Sequence, residues 1–119
     1  MILNILSTDE NLISSIDKSG LFQSVTPIST LDSASSECLI ISDEIVPYAE
    51  LSHNDFSKRK YVFYLMKNQF KANYEKNVKA VCEAKNIHLI PPRLTINQII
   101  ESIKEVIDPF QEVENNVVS

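Results

Sequence analysis

Four carboxylates fall in two short acidic turns. Asp9 and Glu10 close Ser7-Thr8-Asp9-Glu10, and Asp43 and Glu44 come just after the apolar run CLII at 38–41. Carboxylates grouped in this way suit a hard divalent cation such as Mg²⁺, which takes oxygen ligands in near-octahedral geometry. The competing reading is a solvated acidic rim. Crowded together without a metal, these groups would repel, and at least one pKa would rise. The rest of the chemical inventory is thin. Cys38 and Cys82 sit in apolar runs without metal spacing and read as reduced core thiols of a cytosolic protein. His53 lies in a polar loop, and His88 alternates with Ile87 and Leu89 as a strand histidine would. No Ser/His/Asp or Cys/His arrangement has the spacing of a nucleophilic site. Tyr61, Tyr64 and Tyr74 read as core or interface aromatics. Gly20 is the single glycine, so neither glycine-rich phosphate-binding pattern can be written.

The net charge of −5 conceals an asymmetry. Residues 1–56 hold nine acids and one base, Lys18, whereas residues 57–119 hold ten bases and seven acids. Overall acidity argues against a nucleic-acid partner for the whole domain. A local basic run remains: Lys58-Arg59-Lys60, Lys67, Lys71, Lys76, Lys79, Lys85 and Arg93, interrupted by Glu75 and Glu83. Within it Lys71, Lys76, Lys79 and Arg93 are the candidate docking face for an acidic protein partner, a second copy included. The bland alternative is the solvated side of a helix.

The elements that must position these groups are regularly punctuated. MILNIL (1–6) reads as a buried strand, followed by a capping box in which Ser7 caps and Glu10 reaches back. Leu12, Ile13 and Ile16 give helical spacing that Gly20 ends. Val25–Ser29 is a weak strand whose Pro27 suits an edge, and 30–37 is a loop or a single turn. CLII, continuous and apolar, predicts a central strand buried on both faces. Pro47–Phe56 predicts a short helix, YVFYLM (61–66) a strand, and 69–85 a helix with Phe70, Tyr74, Val78, Val81 and Cys82 on one side. Ile87–Ile90 is a strand stopped by Pro91-Pro92, X–Pro bonds for which the general cis frequency is only about 5–6%. Thr95-x-x-Gln98 is a second capping box, ahead of an amphipathic stripe from Ile96 to Ile107 that Asp108-Pro109 ends.

Five strands alternating with helices through short links predict an α/β fold, a three-layer flavodoxin-like sandwich with a parallel sheet in the order 2-1-3-4-5. In such a sheet the site lies at the carboxyl ends of strands 1 and 3, where the two acidic turns fall. The chain's 119 residues suit one domain, with 1–108 as the folded unit and 109–119 as an acidic linker ending in an extended Val117-Val118. No apolar run approaches a membrane span. The start, MILNILSTDEN, lacks the basic region of a signal peptide, so a cytoplasmic location is expected.

The layout and the segments ILSTDENLI and LIISDEI resemble the receiver domains of two-component response regulators. The resemblance puts Asp43 at the phosphoacceptor position and Thr8–Asp9, or Asp9–Glu10 in the neighbouring register, at the Mg²⁺-holding acidic pair. The resemblance also implies a hydroxyl at the end of strand 4 and a lysine before proline at the end of strand 5. This sequence has Leu65-Met66-Lys67 and Pro91-Pro92 there instead. Phosphoryl transfer depends on cations that spread the moving charge, so the expectation is an atypical receiver with a vestigial pocket of Asp9, Glu10 and Asp43. Asp9 and Asp43 remain a weak Mg²⁺ candidate, and no other cofactor is expected.

IHLIPPRLT, a helix, an acidic linker and NNVVS further resemble the N-terminal domain of TadZ/CpaE-type proteins, which join an atypical receiver to a MinD/ParA-like ATPase. That resemblance implies a non-enzymatic interaction and localisation module of pilus assembly or secretion. It would self-associate or position the ATPase at a cell pole, and the ATPase would begin where this sequence ends. The alternative is a working receiver phosphorylated on Asp43.

Overall fold

The structure, a computed structural model, describes residues 1–67 and 72–107. Its elements run β1 (Ile2–Leu6), α1 (Glu10–Lys18), β2 (Ser24–Pro27), a 3-10 turn (Leu31–Ser33), β3 (Cys38–Ser42), α2 (Tyr48–Leu51), β4 (Tyr61–Leu65), α3 (Ala72–Lys85), β5 (His88–Ile90) and α4 (Ile96–Ile107).

Alternation along the strands builds two apolar layers on one sheet, because successive side chains point to opposite faces. Leu3, Ile5, Cys38, Ile40, Phe63 and Leu65 meet Leu12 and Ile16 of α1 and Ile99 and Ile103 of α4 on one side. Leu6, Leu39, Ile41, Val62 and Tyr64 meet Leu51 of α2 and Val78 and Cys82 of α3 on the other. All five strands are parallel and ordered β2-β1-β3-β4-β5, the flavodoxin-like arrangement expected. Every residue of β3 is buried, as a strand covered on both faces must be. β2 is an edge strand, with Pro27 opposite Ile5.

The local signals mostly hold. Thr95 and Gln98 form the reciprocal capping box: the Thr95 N–H donates to Gln98 Oε1 at 2.9 Å and the Gln98 N–H to Thr95 Oγ1 at 3.2 Å. Gly20 follows α1 at φ +76°, in the left-handed region where a glycine costs least. Three expectations are corrected. The first helix is capped by Asp9, which accepts the Leu12 N–H at 3.1 Å, while Ser7 Oγ accepts the Asp9 N–H instead of heading the helix. Helix α2 is a single turn because Ser52 and Asn54 side chains take the carbonyls of Ala49 and Glu50 and end it. Ile87 stays outside β5 because its N–H closes α3 on the Cys82 carbonyl at 2.8 Å. Among the described residues every peptide bond is trans, Pro91 and Pro92 included. The expected start of α3 at 69–71 and everything assigned to 108–119, the linker and the final Val-Val among it, lie outside the described residues.

Two polar side chains, one buried and one half-buried, tie down the loop ahead of β3. Asn4, 3% exposed, accepts the N–H groups of Ser35 and Ser36 at 2.9 Å each through Oδ1. Arg59 donates to the carbonyls of Ser36 and Ala34, both at 2.7 Å. Arg59 therefore belongs to the fold as well as to the basic run. These contacts fix where β3 begins, and with it where Asp43 ends up.

Candidate functional site

The carboxyl ends of β1, β3 and β4 converge because the three strands are neighbours in one parallel sheet. Asp43 follows β3 directly, and its N–H extends the ladder to the Leu65 carbonyl at 3.0 Å. It is 5% exposed, unusual for an acid unless it is hydrogen-bonded. The bonds are present. Oδ1 accepts the backbone N–H of Lys67 at 2.9 Å, and Oδ2 accepts the hydroxyl of Tyr74 at 3.0 Å. Asp9, after β1, is engaged as well: Oδ1 caps α1, and Oδ2 forms an ion pair with Lys67 Nζ at 2.6 Å.

One residue thus binds both carboxylates: the Lys67 main chain holds Asp43 and its ammonium holds Asp9. The Lys67 and Asp9 side chains are 25% and 28% exposed, so the pair is partly screened from water. Hydrogen bonding to Lys67 and the cap on Leu12 hold the Asp9 carboxyl below its ordinary value. For Asp9 this is the reverse of the rise expected from crowded acids, because a cation has entered the group. Burial, then the bond to Asp43, pushes the Tyr74 phenol up to about 12. Tyr64 lies behind them, donating to the Val46 carbonyl at 2.6 Å, its phenol also raised by burial. Tyr48 meets Tyr74 edge-on, ring centroids 5.6 Å apart, which ties α2 to α3.

Glu10 and Glu44 lie apart from this arrangement. Both are exposed, and Glu44 accepts a hydrogen bond from Thr8 Oγ1 at 3.3 Å. The acidic group therefore divides into a closed inner pair, Asp9 and Asp43, and a solvated rim. The described residues contain no group of three or more side chains set to hold a metal ion. A Mg²⁺ ion bound at Asp9 Oδ2 would have to displace the Lys67 ammonium that now occupies it.

The proposed docking face is only partly described. Lys76 and Lys79 are exposed on α3, alternating with exposed Glu75 and Glu83. Arg93 is exposed in the β5–α4 loop at φ +69°, and Lys71 lies outside the described residues. His53 is exposed, while His88 at the sheet edge lies against the Phe63 ring at 5.4 Å. Both cysteines are buried and free, as core thiols.

Neither Lys67 nor Tyr74 stands out as a site residue in the sequence. Lys67 stood out only as a missing hydroxyl and a member of the basic run. The usable signal was its place just past β4, the strand beside β3, which forces it next to Asp43. Tyr74 gave no signal beyond its position in the first turns of α3.

Fold and site together describe a flavodoxin-like α/β domain with a self-satisfied carboxylate pair at the carboxyl edge of its sheet. No family model matches the chain, nor does any curated protein or solved structure. No helix among the described residues is long and apolar enough to cross a membrane.

Proposed function

We propose that the chain is a non-catalytic, receiver-like protein-interaction module. It retains an aspartate at the phosphoacceptor position and closes it with its own donors. The observation that carries this reading is the double use of Lys67, whose N–H binds Asp43 and whose ammonium binds Asp9. Where a receiver would need a free carboxylate beside a metal, this site offers carboxylates already bonded to protein groups. The partner is a protein, a second copy or an attached ATPase, met through the exposed lysines of α3. In the finer form of the reading the module positions a MinD/ParA-like ATPase of pilus assembly or secretion. That form rests on the likeness of IHLIPPRLT and NNVVS alone.

The test is incubation with acetyl phosphate and Mg²⁺, followed by intact-mass measurement. No acyl phosphate should accumulate. A stable adduct that disappears in Asp43→Asn would contradict the reading. It would favour the alternative, a phosphoacceptor whose Lys67 side chain swings from Asp9 to the phosphoryl group; the contact of the Lys67 backbone N–H with Asp43, which anchors that residue beside the carboxylate, is what favours this second reading.

A further inference from the structure

A cleft of about 430 Å³ opens at the amino ends of β4 and β5, lined by Asp55, Phe56, Arg59, Lys60, Lys85 and Asn86 among others. In a parallel sheet this is the end opposite Asp43, so the cleft is separate from the carboxylate pair. Three lining side chains are cationic, and two of them are fixed by neutral groups. Arg59 is held by the Ala34 and Ser36 carbonyls, and Lys85 Nζ donates to the Asn54 carbonyl at 2.9 Å. Lys60 Nζ stands 5.5 Å from the centre of the Tyr61 ring.

Among the described residues the one ion pair is Lys67–Asp9, so none of these three cations is neutralised by a carboxylate within 4.0 Å. Asp55 is the one acid in the lining; its Oδ1 accepts the Ser57 N–H at 2.9 Å, and that bond, with a weaker attraction to the Lys85 and Lys58 charges, holds its carboxyl below the ordinary value. A cation fixed by carbonyls keeps its full charge, and its geometry is set before any ligand arrives. Arg59 has five N–H donors, of which the two carbonyls take two. The cleft is large enough for more than one phosphoryl group, and Val62 and the largely buried Phe56 give it an apolar wall.

We propose that this cleft binds a small diphosphate-bearing molecule, its phosphoryl oxygens taken by Arg59, Lys60 and Lys85. The inference stands independently of the proposed function, because it uses none of the residues around Asp43.

The test is titration of the ¹⁵N-labelled full chain with sodium pyrophosphate at low ionic strength, with sodium chloride of matched ionic strength as control. Saturable amide shifts are expected at Lys60, Lys85 and Asn86. One lost charge contact of about 1 kcal/mol corresponds to an affinity drop of about fivefold in Lys60→Gln. Lys60 is exposed, so this variant leaves the core intact. The double variant Lys76→Gln/Lys79→Gln should bind as the parent does. Shifts that do not saturate, an equal response to chloride, or equal weakening in the α3 variant would each overturn the proposal.

Discussion

Separating the Lys67–Asp9 ion pair from the helix cap that shares Asp9 gives a sharp quantitative prediction. Asp9→Asn keeps a good N-cap while removing the charge, and Lys67→Met keeps the stem and the backbone bond to Asp43. At 2.6 Å, two unit charges attract by about 1.6 kcal/mol at water's dielectric constant and by about 6 kcal/mol at an effective value of twenty. Desolvation and side-chain ordering offset much of this. With roughly a quarter of each side chain exposed, the net coupling should be about 1–2 kcal/mol. The assay is urea unfolding of the parent, both single variants and the double variant, giving the interaction energy of the cycle.

The pH dependence has a definite sign. The Asp9 carboxyl is lower in the folded chain than its ordinary value of 3.8, so its stabilisation is complete above that value. It disappears as pH falls through the depressed folded value. Coupling should also shrink in about 1 M salt, where the screening length is about 3 Å. A coupling below about 0.3 kcal/mol at neutral pH, or one undiminished in strong acid, would refute the argument.

Other predictions follow from the same geometry. Tyr74→Phe removes the donor to Asp43 Oδ2 and should cost about 1–2 kcal/mol in urea unfolding. Ile40→Ala opens a cavity in a central strand residue that is 1% exposed and should cost about 2–5 kcal/mol by the same measure. Thr95→Ala breaks the capping box of α4 and should lower stability by about 1 kcal/mol, seen as a fall in thermal midpoint. Burial pushes the thiols of Cys38 and Cys82 up to about 12 and about 11, so both should resist a thiol reagent at pH 8 until denaturant is added.

The sheet was legible in the sequence because its signals are local. A continuous apolar run makes β3 a strand buried on both faces, and the alternation of such runs with helical stripes leaves few parallel orders open. Asp43 was legible for the same reason, as the acid next to that run. The partners of the acids were not. Lys67 and Asp9 are 58 positions apart, and their meeting depends on β1, β3 and β4 lying side by side. Asn4, inside an apolar run, gave no hint that it would anchor the loop ahead of β3. Ser7 with Glu10 satisfies the capping-box pattern, yet Asp9 holds the N-cap, because where β1 ends decides which residue heads the helix.

The account turns on whether the carboxylate pair accepts a phosphoryl group. Beryllium fluoride with Mg²⁺ mimics that group on an aspartate, and ¹⁹F NMR reads the bound species directly. The account predicts only the resonances of free fluoride species at every protein concentration. A Mg²⁺-dependent bound resonance that saturates, and that vanishes in Asp43→Asn, would contradict it.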